Sequence, residues 1–373
     1  MNQQLRIALF SHSLVSDWNH GNAHFLRGLM RELVRMGHQV RCYEELGSWS
    51  LTNLMKHEGD GGVEAVDAFR RTYPELDIRF YQSRDAKFLE VLEEELKDTQ
   101  LVLIHEWNEP HVANSILDLK QKLGFRALFH DSHHRAYTNA GEILKFNLHL
   151  MDGVLAFGEP IRRIYADGFG VQRVWTFHEA ADIDQFRPLR RKKEIDVVWV
   201  GNWGDEERTR ELEEFLIGPA ASLPDLRVVA HGVRYPEAAL QKLKSANIEY
   251  RGYLPNLFSP QVYAESRVTV HVPRRQYANG LTGIPTIRVF EALACGIPLV
   301  CSPWSDEEKL FRPGRDYIVV RDGAEMTVEL QRLICDDRAR RQLAENGIKT
   351  IRERHTCKHR AQELMSIYEE ITG

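Results

Sequence analysis

The sequence has no C-x-x-C pair, and its five cysteines (Cys42, Cys295, Cys301, Cys335, Cys357) are scattered. An odd number without metal-ligand spacing argues against a disulfide framework or a thiolate zinc site, and points to reduced thiols in a cytoplasmic protein. No apolar run approaches membrane-spanning length, which leaves at most peripheral membrane contact. The opening MNQQLRIALF enters a strand at once, unlike a signal peptide. A basic excess is also missing: the formal net charge is −5, which argues against a dedicated nucleic-acid binder. The first strand-to-helix turn lacks G-x-G-x-x-G, which disfavours a nicotinamide dehydrogenase. Internal repeats and low-complexity tracts are absent. What remains is the composition of an ordinary globular chain, 43% apolar and 28% charged. Its 373 residues suffice for two domains with sizeable cores.

The first half alternates strands and helices. Leu5–Phe10 is an apolar run, followed by a polar loop and a helix from about Gly21 to Met36 with Leu26, Leu29, Met30 and Leu33 inward. Val40–Tyr43 completes a β-α-β unit. Gly47–Tyr73 looks irregular, with a flexible turn at Gly59–Gly62 and no chemistry. Later strands end in HEWNEP and HDSHHR, so these polar clusters share one carboxyl edge with the first loop, where open α/β sheets bind ligands. His20 and Asn19, Gly21 and Asn22 sit in that first loop. Gly21 lets amides approach an anion, while Asn19 or Asn22 equally serves as a cap. His105, Glu106, His130 and Asp131 lack the helical i, i+4 pairs or thiolates of strong zinc motifs, so no metal site is expected. A carboxylate beside an imidazole suits a general base acting on a hydroxyl; the alternative is hydrogen bonding between loops.

In the second half, Ile195–Val200 is an apolar strand ending in Gly201-Asn202-Trp203-Gly204, a turn open enough for a phosphate. The acidic cluster Asp205–Glu207 suits the helix start that follows. Arg208 and Arg210 are the nearest cations, with those acidic neighbours as competing partners. Arg274 and Arg275 follow the strand Val268–Val272 and suit a diphosphate, Arg274 first. Arg190–Lys193 reads as a solvated linker face. From Pro285 to Gly296 the pattern is helical, with Arg288 and Glu291 one turn apart inside an otherwise apolar face. Two such charges need each other or a polar ligand.

The stretch from Arg288 to Gly314, R-x-F-E-A-x-A-x-G-x-P-L-V and then an acidic-to-L-F-x-P-G turn, resembles the C-terminal signature of GT-B glycosyltransferases. It is most similar to the CgeB-like group beside the family-four-like (group 1) enzymes. Asp184, Phe186 and Pro188 resemble the family's interdomain crossing, and His355–Arg360 resembles its H-[TS]-x-x-H-R segment. The family-four pattern has two glutamates seven residues apart. The second corresponds to Glu291, but the first position is Gly283, an absence the CgeB-like group shares.

The resemblance implies an α/β fold of two facing Rossmann-like doubly wound domains. The expected limits are 1–187 for the acceptor side, 188–355 for nucleotide-sugar binding, and 356–373 for a helix returning to the first. It implies glycosyl transfer from a nucleoside diphosphate sugar to a hydroxyl acceptor, with that sugar nucleotide as substrate, no cofactor and no metal. Glu291 would contact the ribose. Arg288, Arg274, Arg208, Thr286, Gly201 and Asn202 would face the diphosphate. Gly252, Tyr253 and Leu254 would meet the base, Tyr253 either stacking on it or packing beneath the loop. Asn19, Gly21, Asn22, His105 and Glu106 would line the acceptor side, with His130, Asp131 and His20 as catalytic candidates. The acceptor would be a glycan, a lipid-linked sugar or a small molecule. A nucleotide-sugar epimerase and a non-catalytic binder share the fold and are the competing expectations.

Overall fold

The computed structural model of the chain describes residues 4–204 and 206–373. It divides into two compact units: residues up to Glu179 together with Cys357–Gly373, and Ala180–Thr356. The crossing at Glu179–Ala180 precedes the Asp184–Pro188 segment.

The first unit holds seven parallel strands: β1 Arg6–Ser11, β2 Gln39–Glu45, β3 Asp77–Tyr81, β4 Leu101–His105, β5 Arg126–Asp131, β6 Gly153–Ala156 and β7 Val174–Thr176. Their order is β3-β2-β1-β4-β5-β6-β7. Every residue of β4 is buried, as are all but the first of β1 and β5, which is why these strands read as apolar runs rather than alternating ones. Helix α1, Ala23–Arg35, buries Leu26, Leu29, Met30 and Leu33, each contributing about 2 kcal/mol by leaving water. The C-terminal helix Cys357–Thr372 packs on α1 and β5, and Trp175 Nε1 donates to Glu370 at 3.1 Å.

The segment expected to be irregular is two helices, α2 Trp49–Glu58 and α3 Asp60–Thr72. Gly59, at φ +54°, makes the junction. Gly62 lies inside α3, where an added Cβ would come 3.0 Å from Leu54 O. The glycines therefore permit one helix to approach the other rather than marking a loose turn.

The second unit holds β8 Ile195–Val200, β9 Val228–His231, β10 Ile248–Tyr250, β11 Ser266–His271, β12 Leu299–Cys301 and β13 Ile318–Val319, all parallel, in the order β10-β9-β8-β11-β12-β13. Val197, Trp199, Val268, Val270 and Val300 carry its core, covered by Leu212, Phe215 and Met326. Strand order reverses between β1 and β4 in one sheet and between β8 and β11 in the other. The five cysteines form no disulfide, and no helix among the described residues is long and apolar enough to cross a membrane.

Candidate active site

Each reversal point is bridged by one side chain, and the two differ in charge. In the second sheet Arg208 donates from one terminal nitrogen to Val272 O, just past β11 (3.0 Å), and from the other to Asn202 O, just past β8 (2.6 Å). Its remaining Nε is buried without a partner among the described residues, and its guanidinium lies 5.1 Å from the Trp199 ring. Burial, and after it the positive charges of Arg274 and Arg288, pull the Arg208 pKa down. A guanidinium stays protonated in proteins nonetheless. The result is a desolvated cation at a sheet's carboxyl edge, where an anion would relieve the cost of its charge. In the first sheet the equivalent bridge is neutral: Asn108 Nδ2 donates to Phe10 O (2.8 Å) and His105 O (2.7 Å).

Three glycine turns knit the second unit's edge. A Cβ at Gly232 would stand 2.1 Å from Gly201 O, so the turns after β8 and β9 touch through backbone. Gly232 N–H donates to Gly252 O (2.8 Å), and Asn202 Oδ1 accepts from Val233 N–H (2.9 Å). Tyr253 and Leu254 follow Gly252, both half-buried.

The helix Ile287–Cys295 starts beside this edge. Thr286 precedes it, but its hydroxyl meets His271 Nε2 at 2.9 Å and makes no cap bond to its own helix. Burial, with Arg208 and Arg288 adding to it, holds the His271 pKa down at about 3, so the ring is neutral. Glu291 is fully buried; one oxygen accepts from Asn256 Nδ2 (2.6 Å) and the other pairs with Arg288. Arg274 pairs with Glu207 at 2.9 Å and Arg275 with Glu211 at 2.9 Å. Gly283 has φ +96°, and a Cβ there would meet Glu307 Cβ at 3.3 Å, so this backbone resists the larger residue of the family-four pattern.

In the first unit, rings run in a line along the carboxyl edge: His12 to His20 (5.4 Å between centroids), His20 to His105 (6.0 Å) and His105 to His130 (5.4 Å). Burial lowers all four pKa values, His12 and His130 to about 4. His20 Nε2, His105 Nδ1 and His130 Nε2 are buried without partners among the described residues. His105 Nε2 meets Ser132 Oγ at 2.9 Å, and Asn22 Nδ2 donates to that oxygen at 2.6 Å. Asn22 thus ties loop to loop instead of capping α1. Asp131 is fully buried and accepts from Tyr165 Oη (2.7 Å) and His133 N–H (2.9 Å). Glu106, also fully buried, accepts from Ser132 N–H at 3.1 Å; burial first, and then the Asp131 charge, raise its pKa. Asn19 has φ +52°, beside half-buried Gly21.

The family match covers most of the second unit and part of the C-terminal helix. The family described as glycosyl transferase-like matches residues 208–366. This stretch is similar to glycosyl transferases. The whole chain has the GT-B fold. Sucrose-phosphate synthase from Thermosynechococcus elongatus is similar at TM-score 0.67 and 15% identity, covering 99% of each chain. HepE from Anabaena, solved with UDP-glucose, is similar at TM-score 0.70 and 11% identity, covering 98% of this chain and 100% of that one. TarM from S. aureus, solved with UDP, is similar at TM-score 0.67 and 10% identity, with the same coverage. No curated protein matches the sequence.

In the second unit, Arg208, Arg274, Arg288, Thr286, Gly201 and Asn202 gather around the ends of β8 and β11. Arg210 is exposed, and Asp205 lies outside the described residues. His271 and Asn256 escaped sequence reasoning. His271 was signalled by a polar residue closing an apolar strand; nothing marked Asn256. In the first unit Asn108 was missed as well, although it stands inside the polar cluster after β4.

The neutral histidines set a pH dependence. A histidine whose folded pKa is about 4 binds fewer protons folded than unfolded between there and its ordinary value of about 6.5. Its contribution to stability is complete above that value and is lost as pH falls. The buried Glu106, raised, acts in the opposite sense. Comparing variants isolates one group: from pH 7.5 to pH 5, the wild type should lose about 2 kcal/mol more unfolding free energy than His130→Gln. Urea titrations at both pH values check this, and equal losses would show that His130 is not buried neutral.

Proposed function

We propose that the chain transfers a glycosyl group from a uridine diphosphate sugar to a hydroxyl acceptor without a divalent metal. The carrying observation is Arg208, desolvated across the ends of β8 and β11 and within the field of Arg274 and Arg288. A leaving diphosphate gains negative charge as the glycosyl bond breaks, and fixed guanidinium groups stabilise it without reorganising. The first-turn amides of the Ile287–Cys295 helix, which lack a side-chain cap, add to that field. UDP is favoured because HepE and TarM were both solved with it. Glu291 orients Arg288, and Asn256 fixes Glu291 from the other side. The thiols fit a reducing, cytoplasmic setting.

Thermal shift with UDP, GDP and dTDP, followed by turnover of the corresponding sugars with and without chelator, tests the reading. UDP should raise the melting temperature most, because a ligand bound only by the folded state stabilises it. Turnover should survive EDTA. Loss of turnover in EDTA with rescue by manganese would refute the metal-independent mechanism.

A further inference from the structure

The segment from Arg187 to Lys193 reads RPLRRKK, five cations in seven residues with no acid. In the fold it is held against the helix Asp337–Arg354, so its charges do not disperse. Arg187 and Pro188 share one surface hollow with Ile348 and Arg352. At the other end Arg340 and Arg267 act on Lys193, whose pKa falls through partial burial first and then through their charges. Arg340 and Arg352 stand about 18 Å apart along their helix. The six steps from Arg187 to Lys193 cover that span only when extended. Linker and helix therefore lie side by side, in opposite directions, as one basic strip within the second unit.

Arg187, Arg190, Arg191, Arg341 and Arg352 are exposed, and their guanidinium groups meet no acceptor among the described residues. The acids alongside are mostly taken. Glu194 pairs with Lys192 at 3.7 Å, Glu353 with Lys349 at 3.8 Å and Asp337 with Arg340, while Asp336 caps the helix through Ala339 N–H. Glu345 and Asp184 offset only two of the five. The excess is local, since the whole chain carries −5. Like charges so crowded repel one another unless a counter-charge is supplied.

Five guanidinium groups over such a length suit a surface of repeated anions rather than one small ligand. No aromatic residue occurs in 187–193 or 337–354, so the stacking that holds single-stranded nucleic acid is missing. Aliphatic carbon is present instead. Ile183, 37% exposed, borders the same hollow as Arg187, and half-buried Leu189 stands between Arg187 and Arg190. An anionic bilayer takes both, with phosphates on the guanidinium groups and apolar side chains at headgroup level.

We propose that this strip docks the protein on a membrane surface bearing anionic phospholipid. Full-length protein is sedimented with phosphatidylcholine vesicles, with and without phosphatidylglycerol, and labelled duplex DNA is titrated in parallel. Binding is expected only to vesicles containing phosphatidylglycerol. It should be lost on raising NaCl from about 0.1 M to about 0.5 M, where screening shortens the reach of the charges. The double variant Arg190→Gln/Arg191→Gln should bind about thirtyfold more weakly. A control of equal charge change on α3, Arg70→Gln/Arg71→Gln, should bind like the wild type. Both should keep the wild-type melting temperature, since all four side chains are exposed. Absence of vesicle binding, equal binding without phosphatidylglycerol, tighter binding to the duplex, full binding by the first variant or an equal loss in the control would each overturn the proposal.

Discussion

Arg208→Ala should lower kcat/KM for the sugar nucleotide about a hundredfold or more, the scale of losing one fixed group that stabilises charge in the transition state. Arg208 holds three things at once: its own desolvated charge, the carbonyl past β8 and the carbonyl past β11. Alanine removes the charge, and Arg274 and Arg288 cannot replace it, since each is already committed to a carboxylate. Arg208→Lys keeps a cation but loses the planar fork that reaches both carbonyls, so it should fall between wild type and alanine. Steady-state kinetics together with the UDP melting shift read the effect, and far-UV circular dichroism shows that the sheet persists. Activity of Arg208→Ala within threefold of wild type would remove the central element of the mechanism.

Glu291→Ala should destabilise the protein by about 3 kcal/mol, because it removes a buried acceptor from the Asn256 amide and a buried counter-charge from Arg288 and leaves a gap. For a unit of this size that corresponds to a melting temperature lower by roughly 5–10 °C. Glu291→Gln retains an acceptor for Asn256 and should lose less. The measurement also separates two roles. A carboxylate serving only to meet a ribose would raise KM and leave melting unchanged. One that positions Arg288 lowers both stability and turnover. An unchanged melting temperature in the alanine variant would show that the buried pair holds nothing in place.

Much of this arrangement was legible in the chain. Apolar runs ending in polar clusters located strands and their carboxyl edges, because strands covered on both faces cannot alternate. Arg288 and Glu291, two charges one turn apart in an apolar helix, pointed to each other or to a polar ligand, and the fold pairs them. Other features were hidden because they depend on contacts between residues far apart in sequence. The destination of Arg208 required knowing that the turns after β8 and β11 are neighbours. The Asp205–Glu207 cluster pointed to acidic neutralisation of Arg208. In the fold, Glu207 serves Arg274 while Arg208 turns to carbonyls. The helices α2 and α3 were obscured by Gly59–Gly62, whose glycines reflect a close helix approach that no local pattern encodes. Similarly, Asp131 was visible beside His130, but the hydrogen bond it accepts from Tyr165 Oη, 34 positions onward, depends on the fold.

The first unit is assembled from two separated pieces of chain, with the Cys357–Thr372 helix laid on α1. On the ribosome the order of completion is therefore inverted. All of the second unit has been synthesised while α1 still lacks its covering helix, so the earlier-made half remains the later to finish. For that interval the nascent polypeptide presents α1's uncovered surface to chaperones, and its first unit stays vulnerable until the last turns emerge.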